Sequence, residues 1–207
     1  QEDFLMTELS IQTVVGGPVA VNTYVVAPVG GAQCLLIDPG ADLADIRAAV
    51  GTREVSAVLL THAHFDHMCS AQPWLDAGAK LYVHEADAPA LADPSINMGV
   101  MMRMNLVLPP ADVLLAEGDL VREAGLELSV LHTPGHTLGS VCYQCGNVLF
   151  SGDTLFYKSY GRIDLPGGNG RDMYASLMRL MKLEGETIVY PGHDMKTKIA
   201  WERGAYR

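Results

Sequence analysis

Apolar residues recur along this chain in short runs, and most of the runs stop at glycine, proline or aspartate. Runs of that length closed by turn formers read as buried strands. ELSIQTVV (8–15), VAVNTYVVA (19–27) and QCLLIDPG (33–40) are three successive strands by this pattern, and DLADIRAAV (42–50) is a helix leading into the strand AVLLTH (57–62). The order then repeats: HMCSAQPWLDAG (67–78) reads as a helix, KLYVHE (80–85) as a strand and EADAPALAD (85–93) as a helix. Beyond a less regular middle, LELSVLHTPG (126–135), SVCYQC (140–145) and NVLFSGD (147–153) read as strands meeting at tight turns. RDMYASLMRLMKLE (171–184) is a helix, because Met173, Leu177, Leu180 and Met181 fall on one face. TIVYPGH (187–193) is a further strand, and the tail from 196 to 207 is a short helix. Strands in both halves with helices between them predict an α/β fold, with helices packed outside two central sheets. No linker, charge block or low-complexity tract divides the chain, so residues 1–207 read as one domain.

Composition narrows the function classes. With 49% hydrophobic and 18% charged residues the chain reads as an ordinary soluble protein, and no uninterrupted apolar run is long enough to predict a membrane span. The opening QEDFLMTELS is acidic and lacks the pattern of a secretory signal, which makes the cytoplasm the default location. A formal charge of -10 argues against a nucleic-acid partner, since phosphate binding needs a basic footprint. Four cysteines are too few and too scattered to staple a domain, so reduced thiols are expected. Cys142 and Cys145 match C-x-x-C, yet positions i and i+3 of a strand face opposite sides.

The chemistry concentrates in THAHFDH (61–67). His62 and His64 project to the same side of an extended segment, and Asp66 and His67 follow once the chain has turned. Imidazole with carboxylate suits zinc, iron or manganese. Further metal-type residues stand at other strand ends: His136 in TPGHT, Asp153 in SGDT and His193 in YPGH, each beside a glycine that lets the backbone turn sharply. Of the leftover histidines, His84 and His132 are expected to satisfy nearby backbone. Asp38, ending the run LLIDPG, either orients a ligand histidine or forms a turn. Met98, Met101, Met102 and Met104 could line an adaptable acyl pocket, but they fill a core or a subunit contact equally well.

Taken together, His62, His64, Asp66, His67, His136, Asp153 and His193 resemble the pattern of the metallo-beta-lactamase superfamily, from about residue 9 to residue 203. The resemblance implies an αβ/βα four-layer sandwich with a two-metal site at one edge. By that likeness His62, His64 and His136 hold one metal, Asp66, His67 and His193 hold a second, and Asp153 bridges them; Asp66 is also the candidate catalytic residue. Two divalent ions, zinc for preference and iron or manganese as options, sit roughly 3.5–4 Å apart in such sites and share a hydroxide that acts as nucleophile. Two dications against two carboxylates and a hydroxide leave one positive charge, which would draw an anionic substrate.

Aspartate at 153, in place of cysteine or serine, speaks against the antibiotic-hydrolysing branch. SGDTLFYKSYGRIDLPGG (151–168) followed by YPGHD is similar to the glyoxalase II group, which hydrolyses glutathione thioesters. There the segment after the bridging aspartate helps to bind the thiol portion, which makes Arg162, Tyr157, Lys158 and Tyr160 the candidate substrate-binding residues. The chain departs from the larger members of that group. It ends within about fourteen residues of His193, without their C-terminal helical domain, and Met195 stands where they carry a glutathione-contacting tyrosine. The likeness is to the short bacterial glyoxalase II-like hydrolases, acting on an anionic small-molecule thioester. A neighbouring family, the mono-iron persulfide dioxygenases, shows a similar GR-x-D motif and is the alternative reading; a non-catalytic metal-binding module is the third.

Overall fold

The computed structural model describes residues 8–206; residues 1–7, on which most of the leader reading rests, and residue 207 lie outside them. One six-stranded sheet is built in the order β1 (Leu9–Gly16), β2 (Val21–Pro28), β3 (Gln33–Ile37), β4 (Glu54–Leu59), β5 (Lys80–His84) and β6 (Val113–Leu115). The other contains β7 (Leu120–Glu123), β8 (Leu126–His132), β9 (Val141–Cys145), β10 (Val148–Gly152), β11 (Ile188–Pro191) and β12 (Thr197–Lys198), again neighbour beside neighbour in chain order. The helices are α1 (Leu43–Val50), α2 (Phe65–Met68), α3 (Gln72–Asp76), α4 (Gly170–Leu180) and α5 (Ile199–Glu202).

Strand alternation sorts the side chains into three cores. Val25, Ala27 and Leu36 pack outward with Ile46 and Val50 of α1, whereas their neighbours Val26, Leu35 and Ile37 point between the sheets. Leu128, Val130, Tyr143 and Phe150 meet them from the second sheet. On that sheet's far side Cys142, Leu149 and Val189 pack on Met173, Leu177 and Leu180 of α4 and Ile199 of α5. The result is the expected α/β sandwich of four layers. Asn169 caps α4, its side chain accepting from the amides of Arg171 (2.9 Å) and Asp172 (3.3 Å). Cys142 and Cys145 do face opposite cores, and all four cysteines are free.

Strand direction places the site. β3 to β6 run parallel, so the loops after β3, β4 and β5 leave from one edge. β8 and β10 both lie antiparallel to β9, and β11 runs parallel to β10, so the loops after these three also share an edge.

Several elements differ from the pattern reading. The helix expected over 67–78 is two short helices, because Pro73 has no N–H to continue α2 and instead opens α3. EADAPALAD makes only a 3-10 turn over Ala88–Ala92, with Pro89 at its start. β4 ends at Leu59 rather than at His62, since the amide of Thr61 donates to Asp38 Oδ1 (2.8 Å) in place of a neighbouring strand. β6, β7 and β12 have two to four residues each, too few to show alternation. Among the described residues no helix is long and apolar enough to cross a membrane.

Candidate metal centre

Beyond β4 the chain bends at Thr61 and His62 before reaching an extended His64, and the rings of His62 and His64 come to lie 4.7 Å apart at 85°. α2 then turns the chain, which brings Asp66 and His67 round to a second point. The bend is fitted closely over the loop after β3: a side chain at Gly40 would begin 1.5 Å from the carbonyl oxygen of Asp66. From the second sheet come His136 after β8, Asp153 after β10 and His193 after β11. Gly192 admits the last of these, since a Cβ there would lie 2.3 Å from Asp153 Oδ1 and 2.7 Å from His67 Cε1.

All seven residues meet in one bowl. Three trios, His62–His64–His136, His62–His67–Asp153 and Asp66–His67–His193, each bring their nitrogen and oxygen donors within 4.8 Å of one another. The rings of His62, His64 and His136 stand close to mutually perpendicular, and His64 Nδ1 lies 2.9 Å from His136 Nε2, both facing the same point. In the trio built on Asp66, His193 Nε2 and His67 Nε2 lie 3.2 and 3.5 Å from Asp66 Oδ2. Asp153 stands between these groups, with Oδ1 3.4 Å from His67 Nε2 and Oδ2 3.5 Å from His136 Nε2.

The hydrogen-bond network assigns the tautomers. His67 Nδ1 donates to Asp38 Oδ2 (2.9 Å), His136 Nδ1 donates to the carbonyl of Arg162 (2.7 Å), and His62 Nδ1 donates to the hydroxyl of Thr61 (3.2 Å), which itself donates to Asp38 Oδ2 (2.7 Å). Each of these rings therefore turns an Nε2 lone pair into the bowl. His62 Nε2, His67 Nε2 and Asp153 Oδ1 are buried there with no hydrogen-bond partner. Buried acceptors without partners are costly, and convergent ones of this type suit a divalent cation.

Electrostatics agree. Burial and the neighbouring histidines push His62 well down, and His64 to about 3, keeping both in the neutral form that ligates. Burial alone would raise the carboxyls of Asp66 and Asp153; the adjoining histidines outweigh it and hold both below the usual range. In turn the carboxylates outweigh burial at His67 and His193 and push those imidazoles up, the response of a place that favours positive charge. The residues present thus fit divalent metal binding.

The surrounding groups show what sequence reading found and missed. Asp38, strained at φ 50°, orients His67 directly and His62 through Thr61. Asp87 carried no signal in EADAPALAD, yet it is buried and ties both sheets' loops together. Its Oδ2 accepts from the amide of Ala63 (3.0 Å) and the hydroxyl of Thr137 (2.8 Å), and its Oδ1 from the amide of Gly139 (2.6 Å). Asn97 was missed too: its carbonyl accepts from the amide of Phe65 (2.8 Å), holding the start of α2. His84 and His132 do satisfy backbone, His84 Nδ1 accepting from the amide of Ala86 and His132 Nε2 donating to Leu138 O, and their rings stack 4.1 Å apart. Met98 is buried, whereas Met101 and Met102 are exposed.

None of the four expected substrate residues is among the bowl donors, and all four are exposed. Arg162 sends its carbonyl to His136 while its guanidinium pairs with Asp164 at 2.8 Å. Tyr157 and Tyr160 are exposed, and Lys158 Nζ sits 4.9 Å above the Tyr157 ring. A recess of about 1010 Å³ is lined by Leu9, Arg122, Leu126 and Tyr190 among others; it contains none of the seven bowl residues.

Comparison with known proteins agrees with this geometry. Residues 16–193 match the family model described as the metallo-beta-lactamase superfamily. The Bacillus subtilis protein named "Probable metallo-hydrolase YqgX" is 35% identical, covering 90% of this chain and 91% of its own. A hydroxyacylglutathione hydrolase from Ectopseudomonas mendocina is 35% identical over 78% of this chain, which spans 57% of that enzyme. Among solved structures, BLEG-1 B3 metallo-beta-lactamase superposes with a TM-score of 0.89 at 34% identity, covering 94% of this chain and 97% of that one. TTHA1623 in a di-iron-bound form gives 0.79 at 36%, with 92% and 96% covered. ETHE1 from Myxococcus xanthus gives 0.75 at 29%, with 95% and 83% covered. The match over most of its length, with two facing sheets and seven nitrogen and oxygen donors at one edge, makes this chain a member of the metallo-beta-lactamase superfamily.

Proposed function

We propose that the protein is a metal-dependent hydrolase of thioesters, using water as nucleophile and forming no covalent intermediate with the protein. The observation that carries this reading is Asp153, whose two carboxylate oxygens are turned one toward His67 and the other toward His136, between two further trios of donors. In this assignment His62, His64 and His136 would hold one divalent ion and Asp66, His67 and His193 a second, with Asp153 available to both. Zinc is the first choice, with iron or manganese open to the same donors; the di-iron form of TTHA1623 keeps iron in view. Such a pair, when bound, supplies Lewis acidity at the carbonyl and lowers the pKa of water. The chain's own part is to hold that geometry. Asp38, Thr61 and the carbonyl of Arg162 fix the rings. Asp66 turns Oδ2 toward His193 and His67, and its carboxylate is the group assigned to accept a proton from the attacking water.

The likeness to a hydroxyacylglutathione hydrolase supports a thioester, and the exposed Tyr157, Lys158 and Tyr160 suit an anionic thiol carrier, which Arg162 would meet only by exchanging its Asp164 partner. Four unpaired cysteines suit a reducing compartment such as the cytoplasm. The likeness to BLEG-1 gives a second reading, lactam hydrolysis, which places the same demand on a carbonyl. The test combines metal analysis of protein purified without chelator with assays of that sample. Two ions per chain and thiol release from S-lactoylglutathione or another small thioester, without oxygen uptake, are expected. Oxygen consumption with glutathione persulfide and no thioester cleavage would move the protein to the dioxygenase reading, and cleavage of a β-lactam alone would replace the substrate class.

A further inference from the structure

Beside the bowl lies a second recess of about 230 Å³, and His64 belongs to both. Its remaining wall is made largely of Ala90, Pro89, Ile96, Leu138 and Pro166, with Asp87 and Thr137 beneath. Those two polar side chains are committed elsewhere: Asp87 accepts from the amides of Ala63 and Gly139, and Thr137 donates to Asp87. No basic side chain lines the recess, and neither do Tyr157, Lys158, Tyr160 or Arg162. Ile96 and Leu138 are nevertheless left 41% and 59% exposed at its rim, an arrangement that water does not favour and an apolar ligand does.

Resting on the thioester reading, we propose that this recess is the acyl subsite and that it selects an unbranched aliphatic acyl group of about four to six carbons. At about 30 Å³ for a water-sized group, the space holds about seven such groups. The committed carboxylate of Asp87 and the lack of any cation disfavour an anionic thiol carrier here and leave that part of the substrate to the Arg162 rim. An acyl chain entering past Leu138 keeps its carbonyl beside His64, where the donors of the bowl converge.

The experiment compares acetyl, butanoyl, hexanoyl and decanoyl thioesters of one thiol. Each methylene taken into the recess is expected to raise kcat/KM about three- to fourfold, up to about hexanoyl, with a fall at decanoyl. Ala90→Phe fills the recess and is expected to lower the hexanoyl-to-acetyl ratio about tenfold or more. Because Ala90 is buried and that variant risks misfolding, Leu138→Ser at the exposed rim is read as well, with a smaller fall in the same ratio. Cleavage of all four thioesters at similar kcat/KM would overturn the subsite while leaving the thioester reading intact. If no thioester is cleaved, that reading fails, and the recess is judged by calorimetric titration of straight-chain carboxylates from acetate to hexanoate. Affinity rising with chain length and lost in Leu138→Ser supports it, and a flat series overturns it.

Discussion

The first sheet delivers four of the seven bowl residues from one bend of six residues, His62 to His67, whereas the second delivers His136, Asp153 and His193 singly from three loops. The two constructions depend on different things. The bend is a local object: its turn at Thr61 and His62 and one turn of helix fix the relative positions of its four side chains, and Asp38, Asp87 and Asn97 anchor it from outside. The second set has no local geometry. Its spacing is that of β8, β10 and β11, set by ladder register and by close packing such as that of Gly192 on Asp153. A compact motif tolerates changes in the sheet behind it, while a distributed one inherits every error of its scaffold.

The largest expected effect is at Asp153, where the two constructions meet. Asp153→Asn keeps the shape and removes the charge shared by His67 on one side and His136 on the other. Bound metal should fall toward one ion per chain, and turnover should drop by more than the roughly 10–100-fold that loss of an outer partner produces. Melting in excess chelator should be nearly the same for variant and parent, because the comparison is then between metal-free proteins. Two tightly held ions with near-parental turnover would show that the halves do not share a ligand.

A smaller effect is expected at Asp87, which fastens the bend to the loop after β8. Asp87→Ala leaves the amides of Ala63 and Gly139 and the hydroxyl of Thr137 without their acceptor, and the loss is on the order of 3 kcal/mol in urea denaturation. Metal content should survive, since no ligand is removed. Unchanged stability would mean that the bend holds itself and owes nothing to the opposite sheet.

The same contrast explains how much was legible in the sequence. THAHFDH is readable because four donors fall within six positions, and the strand ends carrying His136, Asp153 and His193 are readable from their glycines, though pairing them with the bend took the family resemblance. Asp87 was invisible: its partners Ala63, Thr137 and Gly139 lie 24 to 52 residues away, and nothing in EADAPALAD marks its third residue as buried. β6, at three residues, is defined by its ladder to β5 rather than by any pattern of its own. The motif alone marks Arg162, Tyr157, Lys158 and Tyr160, and it carries no sign that Arg162 spends its guanidinium on Asp164.

The smallest effect lies where the chain crosses from one sheet to the other. Glu117, between β6 and β7, pairs with Arg179 of α4 and also accepts from the amide of His132 (2.7 Å). The Arg179 guanidinium holds the Glu117 carboxyl below the usual range against the opposing effect of its partial burial. A carboxyl lowered in the folded state contributes stability that is fully present above its unfolded pKa, near 4.3 for glutamate, and is lost as pH falls through the lower folded value. The pair is half exposed, so its contribution is about 1 kcal/mol or less. Glu117→Gln should therefore unfold at slightly lower urea than the parent at pH 7, and the gap should close as pH falls below about 4. Acid also disturbs the histidine bowl, but equally in both proteins, so the difference between them isolates this pair. Metal content and turnover at pH 7 should change little, because the pair reaches only His132 at the end of β8 and none of the seven bowl residues. A gap that widened on acidification would mean that Glu117 is stabilised as the neutral acid and that the crossover is held by something other than this ion pair.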